Sequence, residues 1–202
     1  MNWKPDLVTV TAIGIFLIVV MASAFIFGPR FESPKLFYAE EPLVKNKEFS
    51  LLPGENYTYD LSMNRTVANI TYVILPGNGC TRIRMINANA SEACVGRDGT
   101  DRAGYNSSLT NPAIILFKPW MLALREGWRW NTSTYIYYGA KQEKISNTSY
   151  RVIRTENYSG RQSFVVAIES GEGPAEYQWV DAEKRILVKM VGENYEIALK
   201  QD

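Results

Sequence analysis

Two hydrophobic rhythms divide the chain. From Leu7 to Phe27 the run LVTVTAIGIFLIVVMASAFIF holds 21 residues with no charge and no proline. Its polar members, Thr9, Thr11 and Ser23, carry hydroxyls that can bond back to helix carbonyls. At 1.5 Å per residue, a helix of this length covers about 30 Å, the hydrocarbon thickness of a bilayer. Trp3 and Lys4 flank one end; Gly28, Pro29 and Arg30 close the other, which suits an interfacial anchor and a helix stop. No polar face exists for a helix half-buried in a soluble core. The alternative is a cleaved secretory signal, with residues 7–21 as its apolar region and Ala22-Ser23-Ala24 as its cut. Against it, Lys4 is offset by Asp6 and the apolar run continues through Phe25-Ile26-Phe27. The sequence therefore predicts a tail at 1–6 and a transmembrane anchor at 7–28.

Residues 29–50, PRFESPKLFYAEEPLVKNKEFS, mix charges with three prolines and show little periodicity, which reads as a stalk. Beyond them the rhythm becomes that of short strands. The candidates are Tyr57 to Met63, Val67 to Leu75, Thr81 to Ile86, Thr134 to Tyr138, Ser149 to Thr155, Ser163 to Glu169, Glu176 to Val180, Ile186 to Val191 and Tyr195 to Leu199. Turn residues such as Pro76-Gly77-Asn78-Gly79 and Gly192-Glu193-Asn194 separate them, as in an antiparallel meander. Alternation is clearest near the C-terminus, where Ile186, Val188 and Met190 share one face and Leu187, Lys189 and Val191 the other. Two stretches differ. Trp120 to Glu126 reads as a two-turn helix ended by Gly127, and residues 88–108 read as a polar loop. The expected fold is a single transmembrane α-helix followed by a mainly antiparallel β domain at 51–202, a curved sheet, half-barrel or sandwich with little helix.

Composition narrows the chemistry. The 202 residues carry a net charge of +1 with no basic stripe, so nucleic acid is not an expected partner. Histidine is absent, which removes the commonest general base and metal ligand. No nucleophile elbow, P-loop or metal motif occurs, and neither catalytic residues nor cofactors are expected. Asp98 and Asp101 lie in a Gly-rich segment with Arg97 and Arg102, where a polar turn is a better reading than a calcium loop. The two cysteines, Cys80 and Cys94, read as a disulfide closing a loop of about fifteen residues, worth about 3 kcal/mol.

Asparagine supplies the strongest signal. Acceptor triplets Asn-x-Ser/Thr occur at Asn56, Asn64, Asn69, Asn89, Asn106, Asn131, Asn147 and Asn157, eight of fourteen asparagines. With 25 Ser and Thr in the chain, chance predicts about two. N-glycans are added only on the non-cytoplasmic side, to exposed asparagine. All eight follow the apolar run, so the expected localisation is the cell membrane, single-pass, with the C-terminal domain extracellular. Dense triplets without histidine lean towards an archaeal surface.

Aromatics number 25, and Trp120, Trp128, Trp130 and Trp179 are candidates for an apolar ligand or partner face; the alternative is that the rings form the core. In SFVVAIESGEGPAEYQWVDAEKRILVKM, Trp179, Asp181, Glu183 and Leu187 to Lys189 form a strand–turn–strand pattern that resembles the LolA/LppX lipoprotein-carrier superfamily. Pro119 to Trp128 is similar to the same group. The resemblance implies an open antiparallel sheet with helices plugging its concave side; it covers about a third of the chain. The functional expectation is a non-enzymatic, glycosylated subunit that binds or scaffolds protein partners, or its own copies, at the cell surface. The alternative is a carrier or sensor of an apolar ligand in a curved sheet. A pilin-like subunit fits less well, because no charged leader with a processing glycine precedes the apolar run.

Overall fold

The computed structural model describes residues 35–40, 42–63, 66–86, 92–102, 114–138, 141–171 and 173–200, with backbone alone at 35–40, 137–138 and 141–145. The expected anchor at 7–28 lies outside them, as do Asn64, Asn89 and Asn106. Among the described residues no helix is long and apolar enough to cross a membrane.

Among the described residues eleven strands form one sheet: β1 Lys35–Glu40, β2 Asn56–Met63, β3 Thr66–Pro76, β4 Thr81–Ile86, β5 Glu92–Val95, β6 Arg129–Tyr138, β7 Lys141–Tyr158, β8 Arg161–Ser170, β9 Glu176–Asp181, β10 Leu187–Val191 and β11 Tyr195–Leu199. Their order is β1-β6-β7-β8-β9-β10-β11-β2-β3-β4-β5. Every pairing is antiparallel. All nine expected strands are present, and the mainly antiparallel β domain with little helix is the architecture observed.

Period-two alternation decides which side chains go inside. On β2, Tyr57 and Tyr59 are buried while Asn56 is exposed; on β3, Tyr72 and Ile74 face the same core. Tyr59 and Tyr72 meet edge to face, with ring centroids 5.9 Å apart. A phenol inside an apolar core needs a partner: Tyr59 Oη donates to the Leu187 carbonyl at 2.6 Å, and Tyr72 Oη accepts from the Ile115 amide at 3.3 Å.

A short crossing segment fills the inner face. Ile114, Leu116, Phe117, Trp120, Met121, Leu122, Ala123 and Leu124 are all buried. The Leu187 amide donates to the Leu116 carbonyl at 2.9 Å, tying this plug to β10. Trp120 packs on Tyr150 of β7, and a methyl group at Gly99, in the turn after β5, would sit 2.6 Å from Leu122 Cδ1. In sheet order β7 and β5 are eight steps apart, about 38 Å in a flat sheet at about 4.8 Å per strand. Trp120 and Leu122 are two residues apart, about 4 Å along a 3-10 helix. Side-chain reach cannot cover the difference, so the sheet curls around the plug.

Three elements differ from the sequence reading. The expected two-turn helix is a five-residue 3-10 turn, Pro119–Ala123, with Leu124 extended. The Leu122 carbonyl accepts from the Asn46 and Lys47 amides, and Leu124's from Asn46 Nδ2, so the acceptors an α-helix would need next are taken. Within the expected stalk at 29–50, Lys35–Glu40 pairs with β6 and Phe49 is buried against Phe117. Within the expected loop, Glu92–Val95 pairs with β4, and Cys80 and Cys94 are joined by a disulfide, Cα atoms 5.5 Å apart. Alternation also slips at Val188, where the β9–β10 register shifts between Leu187 and Lys189. Val188 is consequently buried at this bulge rather than presented on a face.

Truncating the plug should be costly. Leu116→Ala is expected to lower unfolding free energy by about 2–5 kcal/mol, measured by denaturant titration. A second expectation concerns alkaline pH. Burial lowers the Lys118 amine from 10.5 to about 8. Between those values the unfolded chain holds the extra proton, so stability should rise with pH across that window. Burial holds the Tyr57 and Tyr72 phenols near 12, so their contribution is lost above about pH 10, where unfolded tyrosine ionises. Urea titrations between pH 8 and 10 should show the rise, and Lys118→Met should flatten it.

Candidate functional site

The outward face of β7–β11 carries a second, smaller cluster. Cross-strand register places Val165, Trp179 and Lys189 side by side on β8, β9 and β10. Trp179 Nε1 donates to Glu156 Oε1 at 2.6 Å, and its ring lies 6.1 Å from that of Tyr158. Lys189 Nζ sits over both rings, 5.4 Å from the Tyr158 centroid and 5.7 Å from that of Trp179. Glu196 Oε1 anchors the same ammonium at 2.8 Å. These side chains roof Val165 and Ala167, which are buried although they alternate away from the plug.

Charges here are matched in pairs. Arg154 contacts Glu156, Arg151 contacts Glu169 at 2.7 Å, and Arg161 contacts Asp181 at 3.0 Å. The Arg154 hydrogen bond, then that of Trp179, holds the Glu156 carboxyl below its usual range. The Glu196 hydrogen bond raises the Lys189 amine. The exposed pairs Arg154–Glu156 and Arg151–Glu169 contribute about 0–1 kcal/mol each. Their effect is to leave a face with little net charge around an aromatic centre.

The four candidate tryptophans are not brought together. Trp120, Trp128 and Trp130 stack in the core, with successive centroids 6.0 and 6.3 Å apart, and Tyr150 closes on Trp130 at 5.0 Å. They pack on one another and on the sheet rather than lining an opening. Trp179 alone faces outward. Glu156 and Tyr158 were not singled out from the sequence, and Lys189 was named only for its alternation and within the LolA/LppX-like pattern. Outward alternation of Lys189 in LVKMV was the one signal for them.

Asparagine placement frames this face. Asn56, Asn69, Asn131, Asn147 and Asn157 are all exposed. Asn56 and Asn69, on β2 and β3, alternate outward opposite Tyr57 and Ile70. Asn131 and Asn147, on β6 and β7, alternate outward from Trp130 and Tyr150, and Ser133 Oγ donates to Asn147 Oδ1 at 2.9 Å. Asn157, at the end of β7, accepts from the Gly160 amide. Between the two strand pairs lie β8–β11, which hold no acceptor triplet.

Two other places lie outside the aromatic cluster. Asp98 accepts from the Thr100 amide and hydroxyl and contacts Arg102, so its carboxylate closes a turn. Among the described residues no cluster of three metal-ligating side chains occurs. A depression of about 300 Å³ is lined by Glu126, Gly127, Val152, Ile153, Arg154 and Thr155, where β7 runs past the start of β6. No family model, curated protein or solved structure matches the chain.

The two environments of tryptophan should separate by mutation. Trp120→Ala is expected to cost about 3–5 kcal/mol. Trp179→Ala, losing a half-exposed ring and its contacts to Lys189 and Tyr158, should cost about 1–2 kcal/mol. Thermal unfolding of both variants checks the contrast; equal losses would place Trp179 in the structural core.

Proposed function

We propose that this chain is a non-enzymatic, single-pass, N-glycosylated cell-surface protein that docks a protein partner through the outward face of β8–β11. One observation carries the reading: of the five acceptor asparagines on described strands, Asn56, Asn69, Asn131 and Asn147 alternate to the outer face, two on each side of a band that has none, while Asn157 ends β7 with the opposite alternation. The band spans five strand steps from β7 to β2, about 24 Å. That width is comparable to a standard interface of about 800 Å² per partner. Sugars on both flanks would keep other proteins off those strands and leave the band accessible. Its aromatic centre, Tyr158, Trp179 and the 39% exposed Tyr177, is of the kind that anchors interfaces.

The LolA/LppX likeness belongs to the same proposal. An open antiparallel sheet curled around a plug supports it, although the plug here is a 3-10 turn with extended flanks rather than a long helix.

Glycopeptide mapping of material from the native membrane should find sugar at Asn56, Asn69, Asn131 and Asn147. A photo-crosslinking residue at Tyr177 should give one discrete protein adduct, reduced at least tenfold by Val191→Arg. Bare asparagines would remove the surface reading. Glycosylated asparagines with no adduct from Tyr177 would leave the anchor in place and remove the docking face.

A further inference from the structure

Topology brings three separate pieces of sequence to one corner of the sheet. The start of β1 lies beside the end of β6, with Lys35 opposite Tyr137, Phe37 opposite Tyr135 and Tyr38 opposite Thr134. The β6–β7 pairing ends at the same corner, with Tyr138 opposite Lys141 and Tyr135 opposite Lys144. Five aromatic residues, Phe37, Tyr38, Tyr135, Tyr137 and Tyr138, thus share this corner with Lys35, Lys141 and Lys144.

We propose that this corner is a membrane-surface contact whose occupant is the bilayer holding residues 7–28. The inference rests on the anchor reading and adds an orientation to it. Residues 29–34 are all that separates Gly28 from Lys35, and two of them are proline. Fully extended, seven residue steps reach about 25 Å. The headgroup layer takes up about 6 Å of that. The tether therefore keeps the Lys35 corner within about 19 Å of the headgroup surface, whatever the tilt of the domain. Tyrosine is the residue type enriched at membrane interfaces, and lysine favours anionic headgroups.

Acceptor placement points the same way. Among the described residues Asn131 and Asn147 are the triplets nearest the corner, and each lies six or seven residues from the hairpin end, about 20 Å up the strands. Residues 132–146 contain none. Sugar would hold that end away from lipid, and the hairpin end lacks it. The opposite end of β7, at Tyr158, is about 55 Å from Lys141 along the strand, so the two ends of the domain are readily told apart.

The test uses the full chain in vesicles of phosphatidylcholine and phosphatidylglycerol, carrying one nitroxide label at a time. A label at Lys141→Cys should broaden the lipid phosphate ³¹P resonance at least fivefold more than one at Ser159→Cys in the β7–β8 turn. Gln142→Cys provides a second position should the first variant fold poorly. Equal broadening from both ends, with the chain still retained on the vesicles after a carbonate wash, would overturn this orientation while leaving the anchor. Release of the chain by the wash would overturn the anchor and the orientation together.

Discussion

The crossing of residues 114–124 over the inner face is the constraint on which the rest of the domain depends. Eleven strands in one sheet would otherwise leave an apolar face open to water. The plug removes that face by touching β3, β7, β10 and the turn after β5 within a few residues of chain. It also resolves its own backbone: Leu116, Leu122 and Leu124 carbonyls receive amides from Leu187 and from Asn46 and Lys47. Irregular backbone in a core is tolerable only when its polar groups are so matched. Gly99 fits the arrangement for the same reason, since its φ of +73° and its contact with Leu122 both disfavour a side chain.

Inside the curl the Tyr59 and Tyr72 phenols reach main-chain partners, and burial raises both. Gln178 and Arg185 differ, each keeping buried polar atoms without a hydrogen-bond partner, Oε1 in the glutamine. The Arg185 guanidinium lies 4.9 Å from the Phe164 ring centroid, and Nε and Nη1 are buried without an acceptor. Desolvation lowers its pKa, partly offset by Asp181. Arg185 also has a left-handed φ of 59°, in a turn whose Asp181 Oδ1 takes the Glu183 and Lys184 amides. Closing this tight turn sets where the arginine goes.

Strands with clear alternation were legible: β2, β3, β8 and β11 run within one or two residues of their expected bounds. Where the pattern was weak, tertiary pairing decided. Lys35–Glu40 places Leu36, Phe37 and Tyr38 in a row between prolines, which gives no period of two, and it becomes a strand because β6 offers an unpaired edge. Glu92–Val95 is four residues long, too short for periodicity to register. The 3-10 turn at Pro119–Ala123 has consecutive buried side chains, so it lacks the polar face that marks an amphipathic helix. Val188 sits at a bulge, and a bulge shifts register without altering composition. Spacing of two puts Trp128 and Trp130 on one face of an extended chain. It does not say whether that face is covered; the plug covers it.

The outward chemistry follows from the same period of two. A strand that commits one set of side chains to the plug commits the alternate set to the outside, and Asn56, Asn69, Asn131 and Asn147 fall in that alternate set. Asn131 and Asn147 are diagonal neighbours across one ladder, about 7–8 Å apart by strand geometry. Sugars so close would exclude one another from the sheet and extend outward, making a wall rather than a carpet. Asn56 and Asn69 would raise a second wall on β2 and β3. A partner is then guided onto β8–β11 by exclusion on both flanks. The matched ion pairs of the band suit such guidance, since a face with little net charge contributes little long-range steering of its own. Shape and aromatic burial would carry the specificity that charge does not.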